Sequence, residues 1–113
     1  MPHGVSVILA APPAFRFTAS ACPERHLAGA AALGAGVQGA APADAGEVLA
    51  GHLLHLMKEA GMPGGLGALG YGPPDVEALA QGAALQARLL NNAPREVGPQ
   101  ALQTLFREAL AYW

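Results

Sequence analysis

With 113 residues, 52% of them hydrophobic, the chain is long enough to bury a core and reads as one domain spanning residues 1–113. Only 12% of residues are charged and the formal net charge is −2, which excludes a disordered, self-repelling chain and a basic nucleic-acid-binding surface. Aromatic residues make up 5%, so the core has to come from Ala, Leu and Val, and Ala has the highest helix propensity of all residues.

From the N-terminus, Pro2-His3-Gly4 precedes an apolar run over residues 4–11 that stops at Pro12-Pro13. The run is too short for a membrane span, which needs about 20 apolar residues. No Lys or Arg precedes it, so no secretory signal is expected and the cytoplasm is the expected compartment. Taken alone, residues 5–9 also suit a short buried strand. Cys22 is the single cysteine, so no internal disulfide is possible and a reducing compartment is implied.

Pro23-Glu24-Arg25-His26 opens a helix, because Pro suits the first helical position and Glu24 suits the positive end of the dipole. Leu27, Ala30, Ala31 and Gly34 recur at helical spacing, and residues 34–39 end the helix. Asp44 and Glu47 stand three apart before an apolar run, the pattern of a capping box. Val48, Leu49, His52, Leu53, Leu56 and Met57 form the expected buried face behind it, and Gly61 and Pro63 close that helix. A glycine-rich connection over residues 64–72 follows. Asp75 is expected to cap the next helix, whose face takes in Val76, Leu79, Ala80, Ala83, Ala87 and Leu90 and which Asn91, Asn92 and Pro94 end. Pro99 starts the last helix, with Leu102, Leu105, Phe106, Ala109, Leu110 and Trp113 along one side. There is no internal repeat. The fold class predicted is all-α, a compact bundle of five to six helices.

Chemistry-bearing residues are sparse. His52 and His55 stand three apart on a helix, close enough to share a metal, but no Cys, Asp or third His has a matching spacing, and a structural zinc site takes four ligands. His26 falls in the first turn of a helix, where a cationic imidazole opposes the dipole and a neutral hydrogen-bonding or surface role is expected. The glycines of residues 64–72 lack the Gly-Lys-Ser/Thr of a phosphate loop and follow no strand, so a helix connection with left-handed positions is expected. Ser6, Ser20 and Cys22 have no His and acid partners that spacing alone supports as a triad. His3 projects from the start of a helix, either as a solvated terminal residue or as a ligand.

The residues together resemble the iron-containing (group III) alcohol dehydrogenases, hydroxyacid-oxoacid transhydrogenase-like branch. The specific part is Pro2-His3-Gly4-Val5-Ser6-Val7, Ala11-Pro12, residues 15–22 and Pro23-Glu24-Arg25-His26-Leu27. Weaker matches run through Leu33-Gly34-Ala35, Ala43-Asp44-Ala45-Gly46, Gly65-Leu66, Gly70-Tyr71, residues 88–94, Leu105-Phe106 and Tyr112.

The resemblance implies a dehydroquinate synthase-like C-terminal helical domain that forms one wall of a cleft. It implies that the opposite wall is an N-terminal dinucleotide-binding domain, absent from these residues. In such enzymes one Asp and three His hold Fe(2+) or Zn(2+), and His3 matches the last of these ligands. NAD and a small alcohol or hydroxyacid substrate complete the implied site, and Phe15 and Phe17 are candidates for either the cleft or the core. The expectation is a catalytically incomplete oxidoreductase piece, cytoplasmic or, in a eukaryote, mitochondrial. Its partner is either the dinucleotide-binding half or a second copy covering an apolar face, with no nucleic acid and no membrane. The competing expectation is a stand-alone helical interaction or oligomerisation module without catalysis.

Overall fold

The computed structural model describes residues 3–86 and 90–113. Pro2 of the His3 motif, Ala87 of the fourth predicted face and Arg88 of the resemblance lie outside the described residues. Five α-helices lie wholly within the described residues: α1 (His3–Thr18), α2 (Pro23–Ala32), α3 (Ala45–Glu59), α4 (Val76–Ala84) and α5 (Pro99–Glu108). Residues 5–9 are helical, so the strand reading falls; α1 passes through Pro12 and Pro13 and ends at Thr18.

The ends of α2 and α3 follow the expected chemistry. Gly34 takes a φ of 98° after α2, with the Ala35 N–H donating to the Ala30 carbonyl at 3.0 Å. Gly61, at φ 75°, does the same after α3, where the Met62 N–H donates to the Met57 carbonyl at 3.0 Å. A left-handed residue at this place lets the chain turn back and satisfy the last carbonyls.

The starts of α3 and α4 differ from expectation. Each is preceded by a short 3₁₀ turn opened by proline, Pro42–Asp44 and Pro73–Asp75. Asp44 and Asp75 therefore already have helical backbone angles and their carboxylates reach backwards. Asp44 accepts from the Ala41 N–H at 3.3 Å and Asp75 from the Gly72 N–H at 2.8 Å. Neither caps the α-helix behind it. Glu47 also leaves the predicted capping box, because its carboxylate pairs with Arg16 at 2.6 Å.

α3 runs back along α1. A methyl on Gly46 would stand 3.2 Å from both the Arg16 Cα and the Ala19 Cβ, so small residues set the closeness of this crossing. At the far end Met57 shares a buried cluster with Leu9, Leu66 and Ala109. A second buried cluster, Ala30, Leu49 and Leu53, lies between α2 and α3, and Ile8 of α1 packs against both. The buried face of α3 is Ala45, Gly46, Leu49, Ala50, Leu53 and Met57, while Leu56 is exposed. The predicted face was thus turned slightly about the axis, because small residues on the other flank let α1 approach there. α4 ends at Ala84, leaving Leu85 exposed, and Leu90 is again helical, so Asn91, Asn92 and Pro94 follow that residue rather than α4. α5 ends at Glu108, and Trp113 lies beyond it rather than on its face.

Candidate functional site

His3 is the first residue of α1, and its side chain is exposed. Its carbonyl accepts from the Ser6 hydroxyl at 2.7 Å, which tightens the first turn. The imidazole itself has no polar partner among the described residues, so its place in space is that of the helix start. No three His, Cys, Asp or Glu side chains among the described residues come together as a metal-holding group. The donor set on these residues therefore fits one ligand of a site, not a site.

His52 and His55 come close, with ring centroids 6.0 Å apart, but each has another partner. His52 Nε2 lies 2.8 Å from the Leu33 carbonyl, the capping residue of α2. A carbonyl only accepts, so that nitrogen carries a hydrogen and ties α3 to the end of α2. His55 faces Glu59 across 3.6 Å at the surface.

His26 is buried, and the structure builds around it a cluster that spacing did not predict. Its Nδ1 lies 2.8 Å from the Cys22 carbonyl and its Nε2 2.7 Å from the Thr18 hydroxyl, while Phe15 meets the ring edge-on at 5.8 Å. The Cys22 thiol stands 3.6 Å from Nδ1. That nitrogen is the one donating to the carbonyl, so it cannot take the thiol proton, and the pair is not a nucleophile with its base. The hydrogen-bonded role expected for His26 matches this geometry, and the surface role does not. Phe15, Cys22, His26, Leu33, Leu49 and Leu53 line an open apolar groove of about 550 Å³. Phe17 is elsewhere, under the Arg95 guanidinium at 4.0 Å.

The glycine-rich connection uses its amides internally. The Leu66 and Gly67 N–H groups donate to the Ala109 and Leu110 carbonyls, both at 2.8 Å, and the Tyr112 N–H donates to the Gly64 carbonyl at 2.7 Å. Amides so engaged make no phosphate cradle. Gly65 has a φ of 145°, and a methyl there would overlap the Leu110 carbonyl, so the glycines serve the close approach of two backbones. This pairing brings in Tyr112, whose hydroxyl donates to the Leu9 carbonyl inside α1. Burial pushes the Tyr112 phenol well above its ordinary value; Arg16 pulls it down and Glu108 adds to the rise. Arg95 reaches the far end of the same helix, donating to the Phe17 carbonyl at 2.9 Å. Sequence reasoning missed both contacts. The proline pair signals the first, because it announces an unserved carbonyl without saying what serves it; the Phe17 carbonyl is one of the orphan acceptors at the end of α1.

The chain is 40% identical over its whole length to a probable mitochondrial hydroxyacid-oxoacid transhydrogenase of Dictyostelium discoideum, of which it covers 21%. To the mitochondrial hydroxyacid-oxoacid transhydrogenase of Rattus norvegicus it is 41% identical over 110 residues, 97% of this chain and 24% of that one. It thus spans about a fifth to a quarter of the relatives it matches. A crystal structure of 1,3-propanediol oxidoreductase superposes with a TM-score of 0.86 at 28% identity, over 96% of this chain and 28% of the other. The family described as Fe-containing alcohol dehydrogenase family, C-terminal, matches residues 1–110, and the chain belongs to that family.

Proposed function

We propose that this chain is the C-terminal wall of an NAD-linked, metal-dependent oxidoreductase of the alcohol dehydrogenase or hydroxyacid-oxoacid transhydrogenase type. In this reading His3 is its one metal ligand, and the chain alone is catalytically incomplete. The observation that carries the reading is the exposed His3 imidazole, with no polar partner among the described residues, on the first residue of a helix packed against both cores. A rigid helix start presents a ligand at one place without using any of its own side chains to complete the site. When bound, Fe(2+) or Zn(2+) polarises an alcohol or carbonyl oxygen as a Lewis acid. The role of this chain is to orient: α1 holds the imidazole while α3 and α5 brace the helix behind it. A dinucleotide-binding half and the remaining ligands would come from sequence beyond these residues, and a small alcohol or hydroxyacid would be the substrate. The relatives' printed names place them in mitochondria, which makes that compartment the proposal for a eukaryotic source and the cytoplasm for a bacterial one. No described helix is long and apolar enough to cross a membrane.

A graft tests this. Residues 1–113 replace the matching stretch of a hydroxyacid-oxoacid transhydrogenase, and metal content and hydride transfer are measured with and without His3→Ala. The expected result is a metal-loaded, active graft that loses both on His3→Ala; full metal retention in the variant would overturn the ligand role. The ungrafted chain should show no saturable binding of iron(II) or zinc by calorimetry. A second reading, an oligomerisation module, is favoured by the open apolar groove with Phe15 and Leu33 exposed beside it. Sedimentation of the chain separates the two, since a monomer at micromolar concentration argues against the module.

A further inference from the structure

α1 carries Pro12 and Pro13 in its interior and still runs to Thr18. In an α-helix each carbonyl accepts from the N–H four residues on, and proline has none to give. Pro13 therefore leaves the Leu9 carbonyl without its helical donor. Leu9 is fully buried at 0% exposure, so water is a poor substitute. The donor comes from 103 residues away, where the Tyr112 hydroxyl reaches that carbonyl. Tyr112 is held there by its own backbone, whose N–H donates to the Gly64 carbonyl at 2.7 Å, and by its ring, which packs in the Leu9 cluster beside Val5 and Ile8.

The position of this contact gives it a consequence for the other end of the helix. Leu9 lies six residues beyond His3, about 9 Å along the axis. The proline pair removes two adjacent rungs of the hydrogen-bond ladder that joins this segment to the C-terminal part of α1. The His3 imidazole has no polar partner among the described residues, so its position follows that of these first turns. We propose that Tyr112 is a positioning residue for His3: by standing in for the amide that Pro13 lacks, it holds the first turns of α1 in line and presents the imidazole in one place. The inference rests on the reading of His3 as a ligand, but the contact it invokes can be tested apart from any metal.

Residue-resolved amide hydrogen exchange on the 113-residue chain gives the first arm. Tyr112→Phe should speed exchange over residues 7–11 by about tenfold while leaving Ala50 and Leu53 of α3 unchanged, since local opening is separable from global unfolding. An equal rise in both helices would mean that the phenol merely adds stability, and would overturn the proposal. The second arm restores the amide. In a Pro13→Ala background the Ala N–H serves the Leu9 carbonyl, so Tyr112→Phe should lose most of its effect; an undiminished effect would remove the stand-in argument. In the graft described above, Tyr112→Phe should weaken metal binding about tenfold, as support around a ligand commonly does. Binding lost on His3→Ala but untouched by Tyr112→Phe would sink the positioning role alone. Binding untouched by either would sink the ligand reading, while the exchange arms still judge the contact between Tyr112 and α1.

Discussion

The two cores of this domain are assembled by different means. The cluster of Ala30, Leu49 and Leu53 draws on helices close in sequence and relies on small side chains, with an apolar groove left open along its flank. The cluster of Leu9, Met57, Leu66 and Ala109 joins the two ends of the chain, sealed by backbone pairing between residues 64–67 and 109–112 and by the Tyr112 phenol. In the first, packing tolerates adjustment, because the groove gives side chains room to shift. In the second, backbone meets backbone with no such room. The difference teaches that the strength of a core depends on how its surroundings can relax as much as on which residues fill it.

Substitutions can break or sharpen this contrast. The largest effect is expected at Gly65, where Ala would meet the Leu110 carbonyl and need a φ of 145°. Gly65→Ala should cost about 4 kcal/mol or more in urea unfolding followed by circular dichroism. Leu9→Ala should cost about 4 kcal/mol, whereas Leu49→Ala, beside the groove, should cost about 2.5 kcal/mol. Equal costs would remove the argument from relaxation.

Tyr112→Phe comes next at about 1–2 kcal/mol, the usual penalty for leaving a buried acceptor unserved. Its pH dependence is a separate signature. Folding raises the Tyr112 phenol above the ordinary value of 10.0, chiefly by burial. The neutral phenol is therefore the form the folded state favours, and its contribution is fully present below about pH 10 and lost as the pH rises beyond it. The urea midpoint of the parent chain should fall more steeply as the pH rises above 10 than that of Tyr112→Phe; parallel curves would contradict the assignment. The smallest effect is expected at the Arg16–Glu47 pair, 2.6 Å apart with Arg16 half-buried and Glu47 exposed, where Glu47→Gln should change stability by about 1 kcal/mol or less.

Much of the first core was legible in the sequence. Pro23 and Glu24 announced α2, Gly34 and Gly61 marked helix ends, and the spacing of Leu49, Leu53 and Met57 gave the main buried stripe of α3. The caps were misread at Asp44 and Asp75 because an Asp before an apolar run has the same pattern whether it closes a 3₁₀ turn or opens an α-helix. The preceding prolines held the distinction, since they start the turn and shift every later role by one element. Trp113 was assigned to α5 because periodicity does not register where a helix gives way to a tail that pairs with another loop. For the candidate site, the resemblance identified His3 and the structure located it. The surroundings of His26 and the Tyr112 contact were out of reach, because their donors and acceptors meet through turns and tertiary packing rather than along one helix face.

By itself, then, the amino-acid sequence determined the helical class, most helix positions and the family, because these depend on local propensity and on motifs concentrated in the first 27 residues. Tertiary structure alone decided which glycines face a backbone, which histidines are engaged in capping and hydrogen bonding, and how α1 continues past two prolines. The physical reason is that a hydrogen-bond deficit is local and can be read from a proline, whereas the group that satisfies it can come from any part of the chain. Here it comes from Tyr112, and only the folded chain brings that hydroxyl to the Leu9 carbonyl.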